Sequence, residues 1–188
     1  MSRALRPLLL ALVAAAALVA GGCGNKEEVV TQADTEGIYV GVDDLTYQIQ
    51  ISRILNPADV EDESYLLGLA DDEEEPTKDE VWFGVFIRVE NETENELTPT
   101  DSFNITDTQH DVYEPVELDP EVNVFSYHPQ PIPGGQLIPV TGSAPSDNTI
   151  QGSLILFKLP VQSLYNRPLE FEIESAEGGE NARIDLDI

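Results

Sequence analysis

One cysteine, one methionine, one tryptophan and two histidines are the whole supply of soft or easily activated side chains in 188 residues. Zinc and copper sites of the usual kind need clustered His, Cys or Met, and the single methionine is Met1, so such a centre is excluded. Nucleophilic catalysis asks for a hydroxyl or thiol beside a base, most often histidine. His110 stands in a polar stretch beside Asp111, and His128 stands in Phe125-Ser126-Tyr127-His128-Pro129-Gln130-Pro131-Ile132-Pro133; neither belongs to a catalytic signature. Positive charge is just as scarce, with 9 Lys and Arg against 36 Asp and Glu and a formal net charge of −27. A surface of that sign repels phosphate backbones and anionic headgroups, which excludes nucleic acid as a partner and electrostatic attachment to a membrane. No glycine-rich phosphate loop is present, since Gly134-Gly135 and Gly178-Gly179 are isolated turn pairs.

Long apolar runs are also missing. The run from Leu8 to Ala20 is free of charge but spans only 13 residues, short of the roughly 20 that a membrane-crossing helix needs. With Arg3 and Arg6 before it and Gly21-Gly22-Cys23 after it, the run reads as the apolar core of a secretory signal. Ala20 to Cys23 resembles the lipobox of bacterial lipoproteins, with Ala20 where leucine is usual. That resemblance implies cleavage after Gly22 and a diacylglyceryl thioether on Cys23, whose two acyl chains give stable anchoring where one gives marginal binding. It also removes a lone thiol from an oxidising compartment. The expected organisation is a signal peptide over 1–22, the lipidated Cys23 with a flexible tether to 36, and one domain over 37–188. The product is exported and lipid-anchored on the extracytoplasmic side of the cell membrane. Loss of Arg3 and Arg6 leaves 7 basic groups against 36 acidic ones, a net of −29.

Hydrophobic residues make up 41% of the chain, enough for a packed core under this acidic coat. Leu45 to Ser52 alternates strictly, placing Leu45, Tyr47, Ile49 and Ile51 on one face, and Ile38, Val40 and Val42 alternate just before it. Val81 to Asn91 is apolar on both faces for half its length, which predicts a central strand. Further strands are expected over 103–107, 111–114, 136–141, 150–158, 168–174 and 183–188, with turn residues between them. No strand–helix–strand alternation appears, so a nucleotide-binding α/β fold is excluded. The expectation is all-β, an antiparallel sandwich. Asn56-Pro57-Ala58-Asp59, with Gly68 downstream, predicts one short helix over 57–67 covering one end of it, followed by an exposed acidic loop at 71–75.

Arg88-Val89-Glu90-Asn91-Glu92-Thr93, Leu97, the Phe103 to Tyr113 hairpin with Asp107, Pro133-Gly134-Gly135 and Gly152 to Pro160 occur in an order that is similar to a bacterial family. It is the group of secreted, immunoglobulin-like domains of unknown function that includes a small mycobacterial secreted antigen, many of whose members are lipoproteins. The resemblance covers about residues 38 to 174 and implies an immunoglobulin-like sandwich with no assigned catalytic residues. The sequence departs from the family at His110-Asp111, where glycine is usual, and in a longer acidic insert at 57–80.

Two segments remain as candidate sites. Asp71, Asp72, Glu73, Glu74 and Glu75, with the run Asp59 to Glu63, supply carboxylate oxygens of the kind calcium takes, although neither run has the spacing of an EF-hand loop, and a solvated charge run is the simpler explanation of both. The proline-stiffened loop 125–133 presents Phe125, Tyr127 and Ile132 to a protein partner, or else folds the same groups down to cap the sandwich. Carboxylate pairs suited to glycoside hydrolysis carry no information, because with 36 acids some pair always falls at a suitable spacing. The leading expectation is therefore a noncatalytic surface lipoprotein that binds a protein partner and uses no cofactor. The alternative is an envelope protein binding calcium or other cations through its acidic loops.

Overall fold

A computed structural model describes residues 30–188; the signal segment, the lipobox and Cys23 lie outside the described residues. Among the described residues, eleven strands form two sheets. The first orders β1 (Gln32–Ala33), β11 (Ala182–Asp185), β10 (Glu170–Ile173), β5 (Phe103–Thr106) and β6 (Val112–Tyr113). The second orders β2 (Tyr39–Val42), β3 (Leu45–Leu55), β4 (Glu80–Glu90), β9 (Ser153–Pro160) and β7 (Pro115–Val116), with β8 (Leu137–Ile138) beside the end of β4. The chain crosses between sheets after β1, β4, β6 and β9, which is the connectivity of a β-sandwich. Tyr47, Ile49, Phe83, Val85, Ile87 and Phe157 of the second sheet face Phe103, Ile105, Phe171, Ile173 and Ile184 of the first across a fully buried core.

The alternation of β3 holds only as far as Ile49. A bulge shifts the register so that Ile49 pairs with Ile87 while Ile51 pairs with Phe86, and one extra residue turns every later side chain to the opposite face. Ile51, expected inward with Tyr47 and Ile49, is therefore exposed, and Ser52 is buried instead. Its backbone N–H and hydroxyl both donate to the Glu36 carboxylate.

The second sheet is covered on both faces. Trp82 and Phe86 of β4, with Leu154 and Leu156 of β9, point away from the sandwich interior and form a second apolar cluster with Leu55 and Tyr65. Tyr65 belongs to the helical insert, so that insert lies over the outer face of the sheet and not over one end of the sandwich. Four outward apolar side chains on adjacent central strands need cover, and the insert supplies it. The helix is also shorter than the expected 57–67: α1 spans Val60–Glu63 and continues into a 3-10 turn at Ser64–Leu66. Asp59 caps it by accepting from the Glu61 N–H at 2.9 Å, while Asn56 closes the preceding turn on Ala58. Asp62 turns inward, accepting from the Arg53 guanidinium and from the Asn56 N–H, which ties the insert to β3. A second helical turn, α2 (Ala144–Asp147), was not expected from the pattern.

Residues 32–36, expected within a flexible tether, are tied to the domain. Gln32 and Ala33 pair in parallel with Arg183 and Ile184, Ala33 is buried, and Thr35 donates to Asp187 at 2.6 Å. A two-residue strand gives no periodicity to read, and its partner lies 151 residues away.

Candidate functional site

A groove of about 650 Å³ opens beside β9. Its floor is Leu154, Ile155 and Leu156 of β9 with Phe103 of β5, so it reaches down to core side chains. One wall begins at β7, which pairs with Phe157 and Leu156, and continues through Glu117, Leu118, Asp119 and Pro120. Gly68 to Asp71 lines up against that wall through a Leu69–Leu118 bridge and an Asp119 N–H to Gly68 carbonyl bond of 2.8 Å. Gly68 itself has φ +76°, a conformation that favours glycine, where the insert ends and the wall begins. The opposite side is Ser126 to Pro129, held on β9 by Tyr127 N–H to Leu154 carbonyl and Leu154 N–H to Phe125 carbonyl bonds, both 2.7 Å.

Buried polar groups fix these walls. Asn123 donates to the carbonyls of Tyr65 and Leu67 and accepts from the Phe125 N–H, joining the insert to the 125–129 loop. Two phenols clamp Thr100, just before the groove residue Asp101: the Thr100 N–H donates to the Tyr47 hydroxyl at 3.2 Å, and the Tyr127 hydroxyl donates to the Thr100 carbonyl at 2.7 Å. Burial pushes both phenols far above their ordinary pKa, so they stay neutral.

The lining carries Asp71, Asp101, Glu117 and Asp119 and no Lys, Arg or His. Asp119 accepts from the Glu121 N–H at 2.9 Å. The only side-chain hydroxyls besides that of Tyr127 belong to Ser126, whose hydroxyl donates to the Asn123 carbonyl.

Of the acidic candidates, only Asp71 enters the groove. Glu73 to Glu75 are latched onto the outer face of the second sheet. Lys158 pairs with the Glu73 carboxylate and donates to the Glu74 carbonyl at 3.0 Å, and its ammonium lies 5.6 Å from the Trp82 ring centre. The hydrogen bond to Glu73 holds the Lys158 pKa above its ordinary value. The Trp82 indole N–H donates to Glu75 at 3.4 Å, and Asp72 stays exposed. The other run divides in the same way, with Asp59 capping α1 and Asp62 facing Arg53. Among the described residues, no group of three or more His, Cys, Asp or Glu is placed to hold a metal ion.

The apolar candidates of the 125–133 loop fold down. Phe125 meets Tyr65 edge to face at 5.0 Å, Tyr127 meets Phe103 at 5.2 Å, and Ile132 is buried where it pairs with Leu97. Burial of apolar area outweighs display here, and of the loop's described residues Ser126, the Tyr127 flank and Pro129 line the groove. His110, with φ 67°, and His128 are exposed loop residues outside the groove lining. Asp107, noted in the hairpin motif, is a folding device: it accepts from the Gln109 and Asp111 N–H groups, from Asn166 at 2.8 Å and from Tyr113. Burial raises its pKa, but these bonds outweigh burial and the net shift is downward.

Asp101, Glu117 and Asp119 carry no signal in the sequence, being three acids among 36 on separate segments. The nearest thing to a signal is proline, since Pro115, Pro120 and Pro129 all stiffen the groove walls.

No family model matches the chain, and no curated protein matches it. Among solved structures, the yjhA protein of Bacillus subtilis is similar at 10% identity and a TM-score of 0.55, covering 82% of this chain and 99% of that one. The "putative lipoprotein (ycdA)" of Bacillus subtilis is similar at 11% identity and a TM-score of 0.46, over 78% of this chain and 38% of that one. An uncharacterized beta-sandwich protein of Clostridium difficile follows at 10% identity and a TM-score of 0.43, over 86% and 98%. At such identity the likeness is one of fold: with its two packed sheets, this chain is an all-β sandwich protein.

Proposed function

We propose that the chain is a surface lipoprotein, anchored through Cys23, whose sandwich serves as a noncatalytic binding module with the groove beside β9 as its ligand site. The groove itself carries this reading: its 650 Å³ falls in the roughly 300–1,000 Å³ range of ligand pockets, and its lining mixes an apolar floor with a few polar groups on hydrogen-bonded walls. Among the described lining residues neither hydroxyl has a histidine or lysine beside it, which favours binding over turnover. The likeness of the Arg88 to Thr93 and Gly152 to Pro160 segments to secreted immunoglobulin-like domains fits the same role.

The test is site-directed photocrosslinking of the full chain in its host. A benzoylphenylalanine at position 117 should yield a discrete adduct that Leu118→Trp suppresses, while one at position 177 should yield none. Absence of an adduct at 117, or the same adducts at both positions, would remove the groove from the function.

A further inference from the structure

We infer that the groove takes an extended, basic segment of another protein, whose Lys or Arg side chains meet Asp71, Asp101 and Glu117 while its apolar side chains rest against Leu69, Val116 and Leu118 of the wall. This inference rests on the binding-module reading and names the partner's chemistry. The wall from Val116 to Asp119 alternates: Val116 and Leu118 are half-buried, while Glu117 and Asp119 are exposed. A period of two is that of an extended chain, so a strand-like segment laid along this wall brings apolar and charged side chains past it in turn. The charges that meet it are all of one sign. Among the described residues, the carboxylates of Asp71, Asp101 and Glu117 take no hydrogen bond from the protein, and no cation lines the groove to neutralise them.

Charge also decides against the other occupants. A second copy would bring a further net charge of −27 to the same site, and a phosphate, nucleic acid or anionic lipid meets only repulsion there. A small organic cation would satisfy the carboxylates but leave the half-buried Leu69, Val116 and Leu118 of the wall without a partner. A basic segment with alternating apolar residues satisfies both surfaces. Exposed ion pairs are individually weak and screened by salt, so the expected interaction is moderate in affinity and sensitive to ionic strength, with a remainder that persists through apolar contact.

The experiment is fluorescence anisotropy of the full chain in nonionic detergent with a labelled ten-residue peptide of alternating lysine and valine. Saturable binding is expected, with none for the same peptide carrying glutamate in place of lysine. Asp101→Asn with Glu117→Gln should weaken binding roughly three- to tenfold, consistent with two exposed pairs, without lowering the melting temperature. Glu63→Gln with Glu177→Gln removes the same charge outside the groove and should leave binding unchanged. Equal weakening by both double variants would show diffuse attraction and overturn the inference. So would complete displacement of the peptide by an equal concentration of spermidine, which would assign the site to a small cation. If the lysine peptide fails to bind while the position-117 adduct persists, the basic-segment inference falls and the binding module stands.

Discussion

Tyr65 is the fastener between the acidic insert and the sheet beneath it, and its removal has a calculable cost. The ring is 5% exposed and meets Phe86 and Phe125 edge to face, each at a centroid distance of 5.0 Å, while its hydroxyl accepts from Asn148 at 2.9 Å. Truncating a fully packed aromatic ring to alanine costs about 3–5 kcal/mol, a figure that already contains the two edge contacts. Tyr65→Phe keeps the ring and loses only the hydrogen bond, about 1 kcal/mol. For a domain of this size each kcal/mol is worth roughly 2–4 °C, so Tyr65→Ala should lower the melting temperature by roughly 6–20 °C and Tyr65→Phe by about 2–4 °C. Because Gly68 to Asp71 follows directly from the insert, the alanine variant should also loosen one groove wall and weaken the lysine peptide, whereas the phenylalanine variant should not. Calorimetric melting, with Phe86→Ala and the double variant closing a cycle, measures both the cost and the coupling. Strict additivity of Tyr65→Ala and Phe86→Ala, or a shift under 2 °C for Tyr65→Ala, would refute the account, since contacting residues couple by about 0.5–3 kcal/mol.

Three further outcomes follow from the same geometry. A Cβ on Gly134 would stand 2.6 Å from the Thr93 carbonyl oxygen and 2.8 Å from the Glu94 carbonyl carbon, both backbone atoms, so Gly134→Ala should cost about 1–3 kcal/mol in urea unfolding; a neutral result would mean that the 91–95 turn yields freely. Burial, and then the nearby Asp34 and Asp187 charges, raise the Asp185 pKa, so this group favours the folded state at low pH and loses that contribution as pH rises through its raised value. Asp185→Asn should therefore stabilise the protein near neutrality and flatten its gain on mild acidification, while Asp107 and Glu172, whose pKa values are lowered, still drive the loss at lower pH; an unchanged pH profile by circular dichroism would contradict this. Finally, the net charge of −27 implies self-repulsion that salt screens, the Debye length falling from about 10 Å at 0.1 M to 3 Å at 1 M. The melting temperature should rise with NaCl over that range, and a flat response would show that the acids are already compensated locally.

The strand framework is written in the sequence because a sheet with one buried face imposes a period of two, and a doubly covered strand such as β4 imposes a continuous apolar run. Leu45 to Ile49 and Val81 to Val89 declare themselves in this way, and the acidic excess declares which partners are repelled. Where pairing is brief, that signal disappears: β1 and β7 are two residues each, and both draw their order from partners far along the chain. A bulge is equally silent, so the reversal of Ile51 and Ser52 is a property of the ladder and not of the pattern.

The candidate site depended still more on tertiary structure. The acidic run and the proline-stiffened loop were both legible as unusual segments, but their side chains had two uses open to them. Packing chose between these uses: Lys158 and Trp82 hold most of the acidic run against the sheet, and the apolar demand of the core draws in Phe125, Tyr127 and Ile132. The sequence by itself determined a strand-rich, strongly acidic chain and, through its first 23 residues, the expectation of a lipid anchor. Only the tertiary structure could bring Asp71, Asp101 and Glu117 to one groove, because long-range pairing on β9 assembles segments whose individual residues carry no local mark of their meeting.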